Sequence, residues 1–217
     1  MARLPQLGKQ SAALGNGLGL LPVGREVGST APRGEEIFTT AGADTFIVPD
    51  NVTSLTILAI GGGGGGAASD TSLDYSGNGG GGAALAFTNV LPVTPSETLN
   101  LVIGGGGAGG VGGASGFNGA NGTSSTVKRG TDLLVEGVFG GYGGVNSSGG
   151  SGGLAADCRG AVAYSGGDSV GDGGGTRGSG GGGAAGYFGD GTDGVVLSAS
   201  ADGTGGSASG GAYTNGG

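Results

Sequence analysis

Apolar residues in this chain fall into short alternating runs, and each run stops at glycine. In "TFIVPDNVTSLTILAI", Phe46 and Val48 precede a Pro49-Asp50-Asn51 turn, and Leu55, Ile57 and Ala59 then alternate with Thr56, Leu58 and Ile60. Period-two alternation around a turn predicts two strands, the second buried on both faces at its end. The same grammar returns in "ALAFTNV", "LPVTPSE" and "TLNLVI": a strand, a turn with two prolines, and a strand with Leu99, Leu101 and Ile103 on one face. "TSSTVKR", "DLLVEGVF" and "GVVLSAS" are shorter strand candidates. No segment carries a helical apolar period, and glycine interruptions at roughly 1 kcal/mol each disfavour long helices.

Between the strands lie glycine tracts at 61–66, 79–82, 104–113, 140–144, 149–153, 173–183 and 205–211. Glycine accounts for 63 of the 217 residues, several times the average of about 7%. Only six prolines and no strict every-third-residue glycine argue against collagen. A linker occurs once, between domains, whereas here a strand runs into glycine repeatedly, as at Ile60-Gly61 and Ile103-Gly104. Ordered glycine is expected as extended, polyglycine II-like helices lying side by side. Each has three residues per turn and no internal hydrogen bonds, and neighbours supply the bonding partners. The inner faces of such a bundle leave no room for a Cβ. The expected fold class is therefore all-β, with sandwich-like strands feeding a polyglycine bundle and essentially no α-helix. The inserts between tracts, which hold Asp70 to Tyr75, Phe117 and Asn118, Asp157 to Tyr164, Arg177 and Tyr187 to Asp190, are expected as loops at the lattice edge.

Charge divides the chain. Residues 1–37 carry four basic and three acidic side chains, three of the six prolines and no glycine pair. Residues 38–217 carry four basic against thirteen acidic residues. An acidic body repels nucleic acid and anionic membranes, so neither is an expected partner. No run approaches the ~20 apolar residues of a membrane span. The amino-terminal stretch, broken by Gly, Asn and Pro, is not read as a signal peptide. With no histidine and one cysteine, Cys158, the composition excludes a His-dependent triad, the common zinc sites and an intrachain disulfide.

The remaining motifs are weak. "GAGGVG" at 107–112 satisfies G-x-G-x-x-G and follows a strand, but "GASGFNGANG" cannot supply the helix that a dinucleotide site needs. "GGDSVGDGGG" and "GDGTDGVVL" match a calcium-binding nonapeptide repeat only once and partially. Asp168, Asp172, Asp190 and Asp193 read as loop caps or solvated charges, and the Asp190/Asp193 pair as turn chemistry rather than catalysis. No metal, no cofactor and no enzymatic activity are expected. The sequons at Asn51, Asn121 and Asn146 carry little weight without a secretion signal.

The strand–glycine units resemble the glycine-rich domain of bacteriophage tail proteins. "FTTAGADTFIVPDNVTSLTILAIGGGGGG" is similar to that family's opening unit, "VLPVTPSETLNLVIGGGGAGG" to its next, and "GFNGANGTSSTVKRG" with "VFGGYGG" to a third. The likeness covers residues 38 to about 153, and residues 154–217 are similar in style to the polyglycine tips of tail adhesins. The carboxy-terminal "GGAYTNGG" departs from the family in lacking an apolar terminal strand.

The resemblance implies a virion protein, most naturally a tail or fibre-tip adhesin displaying receptor-binding loops. It would have an extended docking arm (1–37), a glycine-rich β domain (38–153) and a polyglycine-helix tip (154–217). A capsid or tail decoration or fibre protein is the alternative within the same biology. A free polyglycine binding protein, such as an ice-binding protein, is the alternative from another class. The expected receptor contacts are Tyr75, Phe117, Asn118, Tyr164, Tyr187, Phe188, Asp190 and Tyr213, since exposed aromatics on loops of a rigid scaffold are favoured anchors. Arg3, Leu4, Leu7, Leu14, Leu20, Leu21 and Arg25 are the expected contacts to other virion proteins. A glycan or outer-membrane protein is the expected receptor class, and a homo-oligomer, as in trimeric fibres, the expected assembly.

Overall fold

The computed structural model describes residues 34–69, 77–112, 118–143, 149–171, 178–195 and 206. The chain divides into two units, Met1–Thr30 and Ala31–Gly217, and all the described residues belong to the second. The arm residues Arg3, Leu4, Leu7, Leu14, Leu20, Leu21 and Arg25, together with Tyr75, Phe117 and Tyr213, lie outside the described residues.

The described residues are all-β, as the alternation predicted, with one 3-10 turn at Ala155–Asp157 and no α-helix. The strands are β1 (Gly42–Ile47), β2 (Ser54–Ile60), β3 (Leu85–Pro92), β4 (Thr98–Ile103), β5 (Ser125–Arg129), β6 (Asp132–Gly137) and β7 (Val162–Tyr164). They form two antiparallel sheets, one ordered β1-β4-β5-β6 and the other β2-β3-β7. The sheets pack face to face over Ala59 and Ala86 from one and Leu99, Leu101, Val127 and Val135 from the other. Ile103 completes the β4 face predicted from "TLNLVI", packing at the edge of that core.

Strands adjacent in sequence around both proline turns belong to different sheets. The turns are thus corners of the sandwich, and they close its base together. Val48 donates to the Glu97 carbonyl at 2.8 Å, Ser96 to the Val48 carbonyl at 2.8 Å, and Val93 to the Thr53 carbonyl at 3.0 Å. Val48, Val52 and Val93 are buried between them. Asn51 and Ser96 take left-handed backbone conformations there (φ 67° and 64°), which short polar side chains tolerate.

Two strand expectations are corrected. Ile60 and Leu58 are 41% and 43% exposed, so β2 is buried on one face only. The reason lies in the layers: the outer face of the β2-β3-β7 sheet is covered by a single turn. β7, three residues inside an insert, was not anticipated. The "GVVLSAS" candidate lies outside the described residues beyond Val195.

The glycine-rich segments are neither strand nor helix, yet they are ordered by one another. Among the described residues nine runs can be followed: g1 (61–69), g2 (77–84), g3 (104–112), g4 (118–124), g5 (138–143), g6 (149–154), g7 (165–171), g8 (178–185) and g9 (189–195). The N–H groups of residues 61, 64 and 67 in g1 donate to carbonyls 84, 81 and 78 of g2. Those of 62 and 65 donate to 123 and 120 of g4, and carbonyls 63 and 66 accept from 107 and 110 of g3. Partners therefore recur every third residue, and every run except g3 and g9 faces three or more neighbours at once, unlike a strand, which has at most two.

Run g2 is the centre. It bonds to g1, g5, g6, g7 and g8, and Ala83, Ala84 and Asn78 are buried. At the glycines where backbones approach most closely there is no room for a side chain. A Cβ on Gly62 would overlap the carbonyl of Gly105, and one on Gly82 the carbonyl of Gly183. By contrast, Gly106 and Gly109, three apart on a face of g3, have no other heavy atom within 3.7 Å of where a Cβ would sit.

Candidate functional site

The bonding pattern also fixes directions. Run g1 is antiparallel to g2 and g4 and parallel to g3 and g5, while g2 is parallel to g6 and g8. Consecutive runs alternate up and down without exception among the nine. The sandwich joins one end of this bundle, because β2 runs into g1, g2 into β3, β4 into g3, g4 into β5, β6 into g5 and β7 into g7. Residues 69, 77, 112, 118, 143, 149, 171, 178 and 195 therefore all sit at the opposite end. All but residue 195 flank segments 70–76, 113–117, 144–148 and 172–177.

That alternation divides the sequence-predicted contacts into two groups. Asn118 begins g4 at the end away from the strands, and Tyr75 and Phe117 belong to segments flanked by that end. Val111, Tyr142, Val170 and Val195, one near the end of each upward run from g3 to g9, are exposed there. No sequence signal had marked Val111, Tyr142 or Val170, each a lone apolar residue among glycine and polar neighbours, and Val195 had been read only as part of the strand candidate "GVVLSAS".

Tyr164, Tyr187, Phe188 and Asp190 lie at the strand end. Gly186 and Gly189 close a two-residue turn by donating to each other's carbonyls at 3.0 and 3.3 Å. Tyr187 stacks on Phe87 with ring centroids 4.5 Å apart, and Phe188 meets Tyr187 edge-on at 5.4 Å. Tyr164 is half-buried against Leu85, Phe87 and Ala185. Phe188, at the tip, is 81% exposed.

The aspartates have a structural job that turn chemistry alone did not reveal. Asp190 accepts the N–H of Ser165 at 2.7 Å, and Asp193 that of Asp168 at 2.8 Å. The backbone N–H groups of 191 and 194 meanwhile donate to carbonyls 165 and 168. Asp168 in turn accepts the N–H of Gly152 at 2.6 Å. Carboxylates thus replace backbone acceptors in fastening g9 to g7 and g7 to g6. Asn121 and Thr123 act likewise toward Tyr142 and Gly105.

At the base of the sandwich, Arg129 pairs with Glu97 and also donates to the Pro92 carbonyl at 2.7 Å. The guanidinium, with the Thr94 N–H, holds the Glu97 carboxyl below its usual range. This pair lines a shallow depression with Pro92, Val93 and Thr94, and both charges are satisfied by each other. Cys158 is a free thiol packed at the core edge. Burial chiefly pushes its pKa up, and Glu136 and Asp157 push it the same way, so the reactive thiolate is disfavoured. Among the described residues, no three Cys, Asp or Glu side chains converge to hold a metal ion. The G-x-G-x-x-G residues 107–112 are part of extended g3, with no α-helix among the described residues.

A family defined as a glycine-rich domain matches residues 39–217, which span both the sandwich and the bundle. The chain belongs to this glycine-rich domain family. No curated protein matches it. The family boundary at residue 39 falls just before β1 and leaves the basic, proline-bearing arm outside the glycine-rich domain. Its far boundary takes in residues beyond 153, and runs on the two sides of that position bond directly, as Gly82 does to the Gly167 carbonyl at 2.9 Å.

Proposed function

We propose that this glycine-rich domain is a bacteriophage virion protein, a tail or fibre-tip adhesin in which a rigid bundle displays variable segments to a host receptor. The carrying observation is the alternation of the runs, which brings the flanks of four variable segments to one end, opposite the sandwich. Recognition residues favour loops held by a rigid scaffold, and here the scaffold is a bundle whose runs brace one another. Hydrogen-bond partners at every third residue support reading the runs as polyglycine II helices, which have three residues per turn. The mechanism is binding without turnover. The receptor is a surface glycan or an outer-membrane protein, and residues 1–37 attach the chain to other virion proteins. The protein is made in the host cytoplasm and assembled into the particle.

The test uses purified full chain as a competitor of phage adsorption, with immunogold labelling of particles. The reading expects label at the tail or fibre tip and reduced adsorption. Replacing residues 70–76 and 113–117 by Gly-Ser of equal length should abolish competition while leaving the thermal transition unchanged. Label along the tail or head without competition would favour the decoration role. Absence from particles would overturn the virion reading altogether.

A further inference from the structure

Run g2 has the most neighbours in the bundle, and one row of its donors is left over. A run that repeats every third residue carries three rows of N–H groups and three of carbonyls, so it can face six neighbours. On g2 five of these rows are bonded. N–H groups 81 and 84 donate to g5 and 82 to g7, while carbonyls 78, 81 and 84 accept from g1, 79 and 82 from g6, and 80 and 83 from g8. The remaining row contains the Gly80 N–H, which has no partner among the described residues. In a trans peptide the N–H points opposite to the carbonyl of the preceding residue. Carbonyl 79 accepts from Gly150 of g6, so the Gly80 N–H points away from g6, between g1 and g8.

The two flanking runs turn acceptors toward that row. N–H 65 donates to g4 and N–H 183 to g9, so carbonyls 64 and 182 point away from those runs, and the Gly64 oxygen borders Gly80 itself. Neither carbonyl accepts a backbone bond among the described residues, and Gly64, Gly80 and Gly182 are half-buried. The groove over Gly80 is thus an N–H floor between two carbonyl walls. Run g2 itself lies in a seat of the same kind: it accepts from g6 beneath it and donates to g5 on one side and g7 on the other. Such a seat is filled by a backbone with the same three-residue repeat, its carbonyl turned to the floor and its N–H groups to the walls. The walls leave it room, because a Cβ on Gly66 of g1 or on Gly181 of g8 would stand 3.9 Å from the Gly80 nitrogen and both positions are glycine. We propose that this groove takes an extended glycine-rich peptide segment of another chain as an added run beside g2, in the way that a peptide adds a strand to a sheet edge. The segment needs glycine where it meets the floor and carries side chains only toward solvent. The site follows from the bonding repeat of the runs whether or not the chain belongs to a virion.

Site-resolved amide exchange on the full chain, with and without a synthetic Gly-Gly-Ser repeat peptide, tests the groove. Without peptide, Gly80 should exchange fast while Gly81 and Gly82, which donate to g5 and g7, exchange slowly. Millimolar peptide should slow Gly80 by about tenfold or more and leave Gly106 on g3 fast. A Thr-Ser-Ser repeat of equal length, with a side chain at every residue, should have no effect. Gly66→Val sends a side chain into the groove without displacing its own chain, since the nearest atom to its Cβ is 3.4 Å away. It should abolish the response with the thermal transition unchanged; if it fails to fold, the two peptides on the unaltered chain decide alone. Fast exchange at Gly80 under millimolar Gly-Gly-Ser peptide, equal slowing by the Thr-Ser-Ser peptide, or an undiminished response in a folded Gly66→Val would each overturn the proposal. So would slow exchange at Gly80 in the peptide-free chain, because the chain would then cover its own groove.

Discussion

Leu99 in β4 and Gly62 in g1 are both buried, for opposite reasons. Leu99 is buried because its side chain is wanted in the core between the sheets. Gly62 is buried because it has no side chain, and the Gly105 carbonyl occupies the place where one would go. The sandwich is organised by apolar burial and tolerates backbone exposure at its edges. The bundle is organised by backbone hydrogen bonds in several directions, and where a neighbouring carbonyl occupies the Cβ position, as at Gly62 and Gly82, it tolerates no side chain. Each region therefore has its own characteristic failure: the sandwich weakens when atoms are removed, the bundle when they are added.

The largest effect should come from adding one methyl at the centre of the bundle. Gly82→Ala places a Cβ against the Gly183 backbone, which has no side chain to rotate away. Destabilisation of about 3 kcal/mol or more is expected, at or above the upper end for overpacked interiors, measured by chemical denaturation. Gly106→Ala, which adds the same methyl with the nearest atom 3.7 Å away, should stay within about 0.5 kcal/mol. Equal costs at the two positions would break the contrast. Leu99→Ala is the converse change and should cost about 2–4 kcal/mol by leaving a cavity in the sandwich.

A smaller effect is expected where side chains stand in for backbone. Asp193→Ala removes the acceptor of the Asp168 N–H and should cost about 1 kcal/mol. Its local signature should be faster amide exchange at residue 168, with the sandwich amides unchanged. The smallest effect belongs to Glu97. Pairing with Arg129 holds its carboxyl below the usual range, so its contribution is full above the unfolded pKa and is lost as pH falls through the lower folded value. Acid melts of Glu97→Gln should therefore lose a little less stability between those limits than the unaltered chain. The pair is solvent-exposed, so the difference should shrink further in salt.

Much of the sandwich was legible because alternation reports a half-buried strand: Leu55, Ile57 and Ala59 point inward, as do Leu99 and Leu101. What alternation cannot report is which strand lies next door, and both proline turns proved to be corners between sheets. Ile60 looked buried because it is apolar, but only one turn covers its face. The order in the glycine tracts was legible from their recurrence after strands. Their pairing was not, since glycine carries no side-chain code and partners are chosen by backbone geometry. The carboxylate ladder of Asp190, Asp193 and Asp168 hid behind Asp-Gly spacing that ordinary turns also produce. Val111, Tyr142, Val170 and Val195 share one end of the bundle only because the runs alternate in direction, a property of the assembled bundle.

Site-resolved amide hydrogen exchange across residues 61–67 tests the central claim, that the glycine runs form a bundle bonded at every third residue. Residues 61, 62, 64, 65 and 67 donate to carbonyls of g2 or g4, whereas 63 and 66 donate to none among the described residues. The expected result is slow exchange at the first five and fast exchange at Gly63 and Gly66. Uniformly fast exchange would mean a loose glycine coil, and protection at every second residue would mean an ordinary strand; either would contradict the account.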